Sequence, residues 1–403
     1  TGMSPDLMST LISLARYLVW GITTILLCMR WQVAWSVAKR NKLVWVVAGL
    51  SIISTIWSEN PIYTNVAVRE VIQMTTFGLY LASRFKLRDQ LYLIASTLGG
   101  VAIISTFFAL VFPSVGISQD AFQGAWTGIF GHKNTLGKMM SLSLVTFAVL
   151  VAEDQFCPMR IYRLLTWGGL LLSFGLIILS TSKTSLSVSC ISFIIMVSYR
   201  LIRKQGNKQR LYLEIFALAV LVAGLILTTS WEILITSMGR DITLTGRTEI
   251  WQSSLSQLME TNPLLGFGRG TFFAPDSLRA SAAGASVSRG YVAAHAHNGY
   301  IDLALEIGFI GLTCFIGSFL IAAKHAITRS YVSKASKDLW PLSFLIWLVA
   351  YNLTESSLMR LSNIFWPTYV AVALCAKPTG HAVHWRLRKL RYPKSKKMTA
   401  LQN

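Results

Sequence analysis

The chain has 403 residues, of which 53% are hydrophobic and only 13% are charged, so one water-soluble core cannot hold most of its apolar side chains. The formal net charge of +20 could suggest nucleic-acid binding. The basic residues cluster in short gaps between apolar runs, however, and this distribution is typical of membrane orientation signals instead. The composition therefore predicts an integral membrane protein.

Apolar runs of membrane-spanning length recur along the whole chain, separated by turn and charge signals. They predict about eleven spans. These lie near residues 10–29, 43–57, 66–83, 91–112, 135–152, 164–181, 184–199, 211–229, 301–323, 339–353 and 362–376. We expect an all-α, polytopic membrane helix bundle of about 11–12 transmembrane helices, because an odd number of spans predicts one more upstream.

The basic gaps predict which side of the membrane each loop occupies. Together, the gaps at 30–42, 84–88, 160–163, 200–210 and 324–337 and the segment 377–403 hold 26 of the 37 Lys and Arg residues. We expect them in the cytoplasm, with 377–403 as a basic tail against the anionic inner leaflet. Residues 1–376 are then expected to form a single transmembrane domain, with the loop 230–300 inserted on the periplasmic side.

The loop 230–300 is too long for a plain connection, which makes it the candidate functional segment. Residues 248–259 within it predict an amphipathic helix that lies in the membrane interface or covers the outer mouth of the bundle. Its predicted apolar face consists of Ile250, Trp251, Leu255, Leu258 and Met259. The Asn-Pro-Leu-Leu-Gly-Phe-Gly segment at 262–268 predicts a turn with an architectural role.

Each cation on the predicted outer side needs a structural or functional explanation, because the positive-inside rule disfavours cations there. Lys183 lies among hydroxyls at 180–185, where a Ser-Thr-Ser-Lys-Thr-Ser run separates two apolar spans and implies a polar pocket at membrane depth. Arg247 precedes the predicted amphipathic helix. Arg279 and Arg289 are expected to extend toward lipid head groups.

His132, Lys133 and Asn134 follow Gly131 and open a predicted span. A helix N-terminus combined with a lysine and an amide favours an anion. A polar turn capped by Asn134 explains the same residues equally well. The spacing alone leaves both interpretations open.

His295 and His297 stand directly before another span, with Asn298 between them and its first turn. Two histidines at this spacing could bind a metal, but no cluster of outer Asp, Glu or Cys is apparent to complete a site, so no metal and no cofactor is predicted. His297 is the candidate general base, because free histidine has a pKa of about 6.5 and is partly neutral at working pH. A capping role for His297 is the alternative.

Several motifs together resemble the signature of the O-antigen ligase and polymerase superfamily. They are Gly246-Arg247-x3-Trp251, the Asn-Pro-Leu-Leu-Gly-x-Gly turn, and His297-Asn298 followed by Glu306-x-Gly308-x2-Gly311. Trp57-Ser58-x2-Pro61 and Gly131-His132-Lys133-Asn134 extend the resemblance over most of the chain. The last of these is more like exopolysaccharide polymerases than ligases.

The resemblance implies a fold similar to GT-C membrane glycosyltransferases, which use lipid-diphosphate-linked glycans at the outer face without nucleotide sugar or metal. The catalytic residues it implies are His297 and Arg247. The diphosphate-binding residues it implies are Lys183, Arg247 and Lys133, with possible support from His132, Asn134, His295, Asn298 and Glu306. The family often has an Arg in a Ser-Arg-Gly setting at the position of Lys183, and an ammonium lacks the planar fork of a guanidinium. This departure favours a polymerase over a ligase.

The function that the resemblance implies is polymerisation of undecaprenyl-diphosphate-linked repeat units into a surface polysaccharide, in a bacterial inner membrane with the active site facing the periplasm. The implied partners are the lipid-linked donor, a glycan acceptor, membrane lipid and a chain-length regulator, and no nucleic acid is expected. One alternative is an O-antigen ligase that transfers finished glycan to lipid A core. A second is a flippase for lipid-linked glycan, in which charges would line several spans.

Overall fold

The computed structural model describes residues 5–119, 122–153, 160–202, 246–333, 335–360 and 363–377. Within these ranges the chain forms fourteen α-helices and no β-strand. In chain order the helices are α1 (Pro5–Met29), α2 (Trp31–Ala38), α3 (Lys42–Ile53), α4 (Pro61–Arg84), α5 (Leu87–Val111), α6 (Pro113–Gly116), α7 (Lys133–Glu153), α8 (Arg160–Leu179), α9 (Lys183–Ile202), α10 (Gly246–Thr261), α11 (Leu278–Ala285), α12 (Gly299–Val332), α13 (Trp340–Asn352) and α14 (Phe365–Cys375). The predicted all-α, polytopic membrane bundle is confirmed.

The described helices include five that are long and apolar enough to cross a membrane. They are Thr10–Met29 within α1, Leu87–Val111, Lys133–Glu153, Arg160–Leu179 and Gly299–Val332. Shorter apolar helices lie at Lys42–Ile56, Lys183–Val197 and Phe365–Cys375. The predicted span at 211–229, the loop residues 230–245 and the tail from 378 lie outside the described residues.

The helices differ in how deeply they lie within the bundle. The apolar window of α7 is 78% buried, whereas those of α1 and α8 are 11% and 22% buried. A helix that is apolar on every side belongs in a protein interior or in lipid, so α7 packs inside while α1 and α8 face hydrocarbon. Every residue of α14 is buried. Together, α13 and α14 contribute the buried rings of Trp340, Trp347, Tyr351, Trp366 and Tyr369.

One end of the bundle collects basic side chains from the gaps predicted to face the cytoplasm. Arg329 donates to the backbone oxygen of Ala376 at 3.1 Å and pairs with Asp338 at 3.1 Å. Arg40 donates to the backbone oxygen of Leu374 at 3.3 Å. Because the last carbonyls of a helix lack intrahelical partners, these arginines cap the C-terminus of α14.

The opposite end gathers the described part of the long loop, residues 246–298. The backbone N–H of Arg269 donates to Ser54 Oγ, just after α3, at 3.0 Å. The side-chain amide of Asn298 donates to the backbone oxygen of Leu353, just after α13, at 3.4 Å. These bonds attach the loop to two separate helix ends, so the loop lies across this end of the bundle.

A break inside α12 receives the predicted turn at 262–268. The helical dihedral angles fail at Ile307 and at Gly308, whose φ is 67°. Carbonyl and N–H groups freed by such a break need new partners. The N–H of Phe267 donates to Leu305 O at 2.8 Å, and the N–H of Phe309 donates to Pro263 O at 2.9 Å. A Cβ at position 308 would overlap the loop backbone, so glycine is required there.

The predicted amphipathic helix is present as α10, but one member of its predicted face is wrong. The buried residues are Ile250, Ser254 and Leu258, spaced one helical turn apart. Met259 is 60% exposed, because it is rotated about 100° from Leu258 around the helix axis. The helix packs against α11 and α12, and so covers the end of the bundle.

Candidate active site

The segment 295–298 is held in place by two neighbouring motifs. Asn298 caps α12, where its side-chain oxygen accepts from the N–H of Tyr300 at 3.0 Å and of Ile301 at 3.2 Å. The indole N–H of Trp251 donates to the backbone oxygen of Ala296 at 2.5 Å. Trp251 belongs to α10, so the Gly-Arg-x3-Trp motif positions the residue next to His297.

Glu355 joins the two residues that the sequence analysis singled out as catalytic. One carboxylate oxygen lies 3.4 Å from Nη2 of Arg247, and the other lies 3.3 Å from Nδ1 of His297. Arg247 also donates to the backbone oxygen of Thr354 at 2.7 Å. The side chains of Arg247 and His297 are 26% and 28% exposed, whereas that of Glu355 is 8% exposed. The carboxylate is therefore buried behind two groups that remain accessible.

The electrostatics of this cluster keep Glu355 charged and His295 neutral. Burial alone would raise the pKa of Glu355, but the hydrogen bond to His297 and the charges of His297 and Arg247 outweigh it and lower that pKa to about 2. Burial, reinforced by His297 and Arg360, lowers the pKa of His295 to about 3. The rings of His295 and His297 lie 3.9 Å apart. A buried anion thus faces an accessible guanidinium and a partly exposed imidazole.

The sequence shows no cluster of acidic residues near the two histidines, but the fold brings one acid, Glu355, beside them. His295, His297 and Glu355 each offer a ligand atom, and these atoms lie within 4.8 Å of one another. The acid comes from the turn after α13, more than 50 residues further along the chain. The sequence showed Glu355 only as one of several scattered outer acids.

A second polar cluster lies near the first, at the C-terminal turn of α13. The hydroxyl of Tyr351 is 3.0 Å from Ser185 Oγ, which is 2.9 Å from Ser182 Oγ. Nζ of Lys138, on α7, lies 5.8 Å from the ring centre of Tyr351 and 5.6 Å from that of Phe365. The buried hydroxyls of Ser182 and Ser185 therefore contact the C-terminal turn of α13, whereas Lys183 between them in the chain is exposed.

The predicted diphosphate-binding lysines begin two helices at this end. Lys183 is exposed at the first residue of α9, and Lys133 is the first residue of α7. Their charges are close enough to interact. Nζ of Lys133 lies 3.7 Å from the ring centre of Phe122, a cation–π distance.

The remaining predicted supporting residues have local partners. The N–H of Asn134 donates to Nδ1 of His132 at 3.2 Å, so His132 rather than Asn134 provides the capping acceptor of this turn. Glu306 forms an ion pair with buried Arg269, away from Glu355. That pair stabilises the structure around the break in α12, because Arg269 also donates to the backbone oxygen of Met359.

Sequence reasoning missed Glu355 and Lys138 as members of the site. The signal that could have identified Glu355 is the polar run at 352–357, which lies between two apolar helices on the predicted outer side. Lys138 lies one turn after Lys133 and Asn134 in an otherwise apolar helix, where an ionisable residue is a functional indication.

Comparisons with known proteins agree with the motif resemblance. Residues 168–316 match the family described as "O-Antigen ligase". The chain is 24% identical over 347 residues to the "Exopolysaccharide production protein ExoQ" of Rhizobium meliloti (strain 1021), covering 78% of this chain and 77% of that protein.

A solved structure titled "Structural coordination of polymerization and crosslinking by a peptidoglycan synthase complex" aligns with 85% of this chain and 96% of its own. Its TM-score of 0.40 and identity of 17% are too low to relate the two folds. The matched family and the relative together confirm the resemblance. The chain is thus a membrane protein that is similar to the O-antigen ligase family at residues 168–316 and to an exopolysaccharide production protein over most of its length.

Proposed function

We propose that this protein polymerises undecaprenyl-diphosphate-linked oligosaccharide repeat units into a surface polysaccharide, by metal-independent glycosyl transfer at the periplasmic face. The observation that carries the proposal is the position of three outer cations. Lys133, Lys183 and Arg247 each stand in the first turn of a helix. Because a helix N-terminus already carries partial positive charge, a cation there favours a nearby anion; Glu355 supplies one for Arg247, and the two lysines favour a further one. A diphosphate is such an anion.

Charge on the leaving group is what these cations would stabilise. Displacing a sugar from a lipid diphosphate develops negative charge on the diphosphate, and positioned cations lower the barrier. The guanidinium of Arg247 is planar and can pair with two phosphate oxygens. Its side chain is 26% exposed and stands in the first turn of α10, which suits that role.

Proton removal from the acceptor hydroxyl is the role we assign to His297. With Glu355 ionised, the hydrogen bond between them is donated by Nδ1–H of the imidazole, which leaves the lone pair on Nε2. A base must come within about 2.6–3.2 Å of the hydroxyl or act through one water. Glu355 fixes the tautomer of His297 and holds Arg247 at the same time. His297 then acts on the acceptor hydroxyl, and Arg247 acts on the diphosphate of the donor.

The periplasmic location is part of the proposal. Arg40 and Arg329, from two of the described basic gaps, lie at the opposite end of the bundle from the Arg247, Glu355 and His297 cluster, and the positive-inside rule assigns that basic end to the cytoplasm. A reporter tag near Ala283 should therefore report the periplasm, whereas tags after Lys208 and at the C-terminus should report the cytoplasm. If the tag near Ala283 reported the cytoplasm, the site would lie on the opposite side of the membrane from the proposed substrate, and the proposal would be wrong.

The relatives allow two kinds of transfer. One is named for exopolysaccharide production and the matched family for O-antigen ligation. We favour polymerisation because of Lys183, where the resembling ligases often have Arg. A chain-length regulator is then a further expected partner. A flippase is less favoured, because its charges would be spread along several spans, whereas Lys133, Lys183 and Arg247 all stand at helix starts at one end of the bundle.

The test is an assay with purified protein and a lipid-diphosphate-linked repeat unit, with and without lipid A core. A polymerase extends the repeat unit into a ladder that does not require the core. A ligase gives a single shift of the core. The proposal fails if protein of verified folding gives neither product, or only the core shift.

A further inference from the structure

His295, His297 and Glu355 present the donor set of a three-ligand zinc site. Two imidazoles and one carboxylate, with a fourth position open, is a known composition of zinc centres. The geometry points to a site at which Zn²⁺ or a similar nitrogen-preferring divalent ion binds and arrests transfer. The arrest, although not the binding, rests on the function proposed above.

The distances in the cluster suit such an ion. Ligands that stand about 2.0–2.1 Å from a tetrahedral zinc are about 3.3–3.4 Å from one another. Nδ1 of His297 and the Glu355 carboxylate oxygen are 3.3 Å apart, so an ion can bridge them with little movement. The ligand atom of His295 lies within 4.8 Å of both. The rings of the two histidines are only 3.9 Å apart, so a small rotation brings the third ligand in.

Two contacts oppose the ion and set the expected affinity. Nδ1 of His295 accepts the N–H of His297 at 3.1 Å, and this bond must open if that nitrogen is to bind metal. Arg247 lies 3.4 Å from the second oxygen of Glu355, and its charge repels a dication. We therefore expect binding in the micromolar rather than the nanomolar range. Magnesium is not expected to bind, because it prefers six oxygen ligands.

Occupation of this site removes the base. The ion takes the place of the proton between His297 and Glu355, and that proton moves to Nε2 of the same ring. The ring stays neutral, but both of its nitrogens are then engaged, so it cannot accept the proton of an acceptor hydroxyl. A metal-free enzyme is active in this scheme, and zinc is an inhibitor.

The binding test uses the full-length purified protein and Zn²⁺ itself. His381 and His384 lie in the tail, so a His381→Gln/His384→Gln background removes that second histidine pair. Competition with a fluorescent zinc indicator should then give one equivalent of Zn²⁺ per chain. In the same background, His295→Gln should weaken binding by more than about 100-fold, since losing even an outer-shell partner costs roughly 10–100-fold.

The matched control is His325→Gln, a half-buried histidine on α12 at the other end of the bundle, which should leave binding unchanged. Glu355→Gln gives an independent second variant, accepted only if its melting temperature without zinc matches that of the background protein. Zinc binding that survives both His295→Gln and Glu355→Gln would overturn the site.

Transfer assays with and without zinc test the arrest separately from the proposed function. Each protein is compared with its own metal-free rate, so a lower basal rate does not matter. Zinc should reduce transfer at the concentration at which it binds, and excess EDTA should restore it. Zinc that binds through His295 and Glu355 but leaves transfer unchanged would overturn the arrest and leave the metal site standing.

Discussion

Three Arg–Glu pairs join the long loop to the helix bundle, and two of them, Arg269–Glu306 and Arg247–Glu355, differ in how much of each pair remains exposed. Arg269 is 3% exposed and binds Glu306 and the backbone oxygen of Met359. Arg247 keeps 26% exposure while it contacts Glu355, which also holds the partly exposed His297. The charge of Arg269 is therefore taken up by partners inside the protein. The second pair leaves a guanidinium and an imidazole within reach of a ligand.

The difference in exposure distinguishes a structural arginine, Arg269, from a candidate catalytic one, Arg247. The sequence around the two residues does not distinguish them. Both arginines follow a glycine, in Gly246-Arg247 and Gly268-Arg269, and both belong to the predicted outer loop. Their partners decide their roles. Arg269 stabilises the break in α12, where burial lowers its pKa to about 10 and still leaves it charged. Variants of the two pairs should therefore fail in different assays.

Arg269→Gln should have the largest effect, and on folding. It leaves the partly buried Glu306 without its partner, and breaking a pair whose arginine is buried costs up to roughly 3–5 kcal/mol. We expect a large loss of folded protein after detergent extraction, measured by size-exclusion chromatography and thermal melting. Arg289→Gln is the control, because Arg289 is an exposed arginine of the same loop. A stable Arg269→Gln protein would contradict the architectural role.

Arg247→Ala should fold but transfer poorly. Removing one group that stabilises developing charge costs roughly 10²–10³ in rate, and donor binding should weaken too, since the ground-state diphosphate uses the same charge. Arg247→Lys should stay impaired, because a lysine cannot pair with two oxygens at once. Arg289→Ala, an exposed cation of the same loop, is the control. Normal turnover of Arg247→Ala would make this pair architectural as well.

Lys183→Ala should have a smaller effect, on donor affinity. Lys183 is exposed at the start of α9, and an exposed ion pair contributes about 0.2–1 kcal/mol, or roughly up to fivefold in binding. Lys183→Arg should restore the affinity. Measuring the dependence of rate on donor concentration distinguishes this from a turnover defect. A large loss of turnover at saturating donor would show that Lys183 acts on the transition state instead.

Removal of divalent metal should have no adverse effect at all. The outer cations take the role of a metal in our account, so transfer should survive an excess of EDTA. A modest gain is expected if purified protein carries zinc. Loss of activity that added magnesium restores would contradict the role of Arg247 and the lysines.

The membrane fold was predictable because lipid imposes a simple rule on sequence. A spanning helix needs a long apolar run, and the runs at 91–112 and 135–152 coincide with α5 and α7 within a few residues. The end of α12 was harder to predict. It continues to Val332, beyond the predicted end at 323, because its last turns carry Lys324 and Arg329 into the basic end.

The candidate site was only partly predictable, because it is assembled from distant segments. Motif resemblance identified Arg247 and His297, and their placement beside each other depends on Glu355, which lies 108 and 58 residues away in the chain. No local pattern links these positions. The error at Met259 has a different cause. Met259 was assigned to the buried face on its hydrophobicity alone, whereas the face of α10 that packs against α11 and α12 carries the small Ser254.

The most direct test of the account is single-turnover transfer by His297→Gln together with its affinity for the donor lipid. Glutamine retains hydrogen bonding but is not a base. We expect donor binding close to that of the unmodified protein and transfer slower by roughly 10²–10⁴-fold, as is usual when a general base is lost. His325→Gln, at the other end of α12, should transfer normally. Near-normal transfer by well-folded His297→Gln would contradict the base assignment and leave His297 with a structural role before α12.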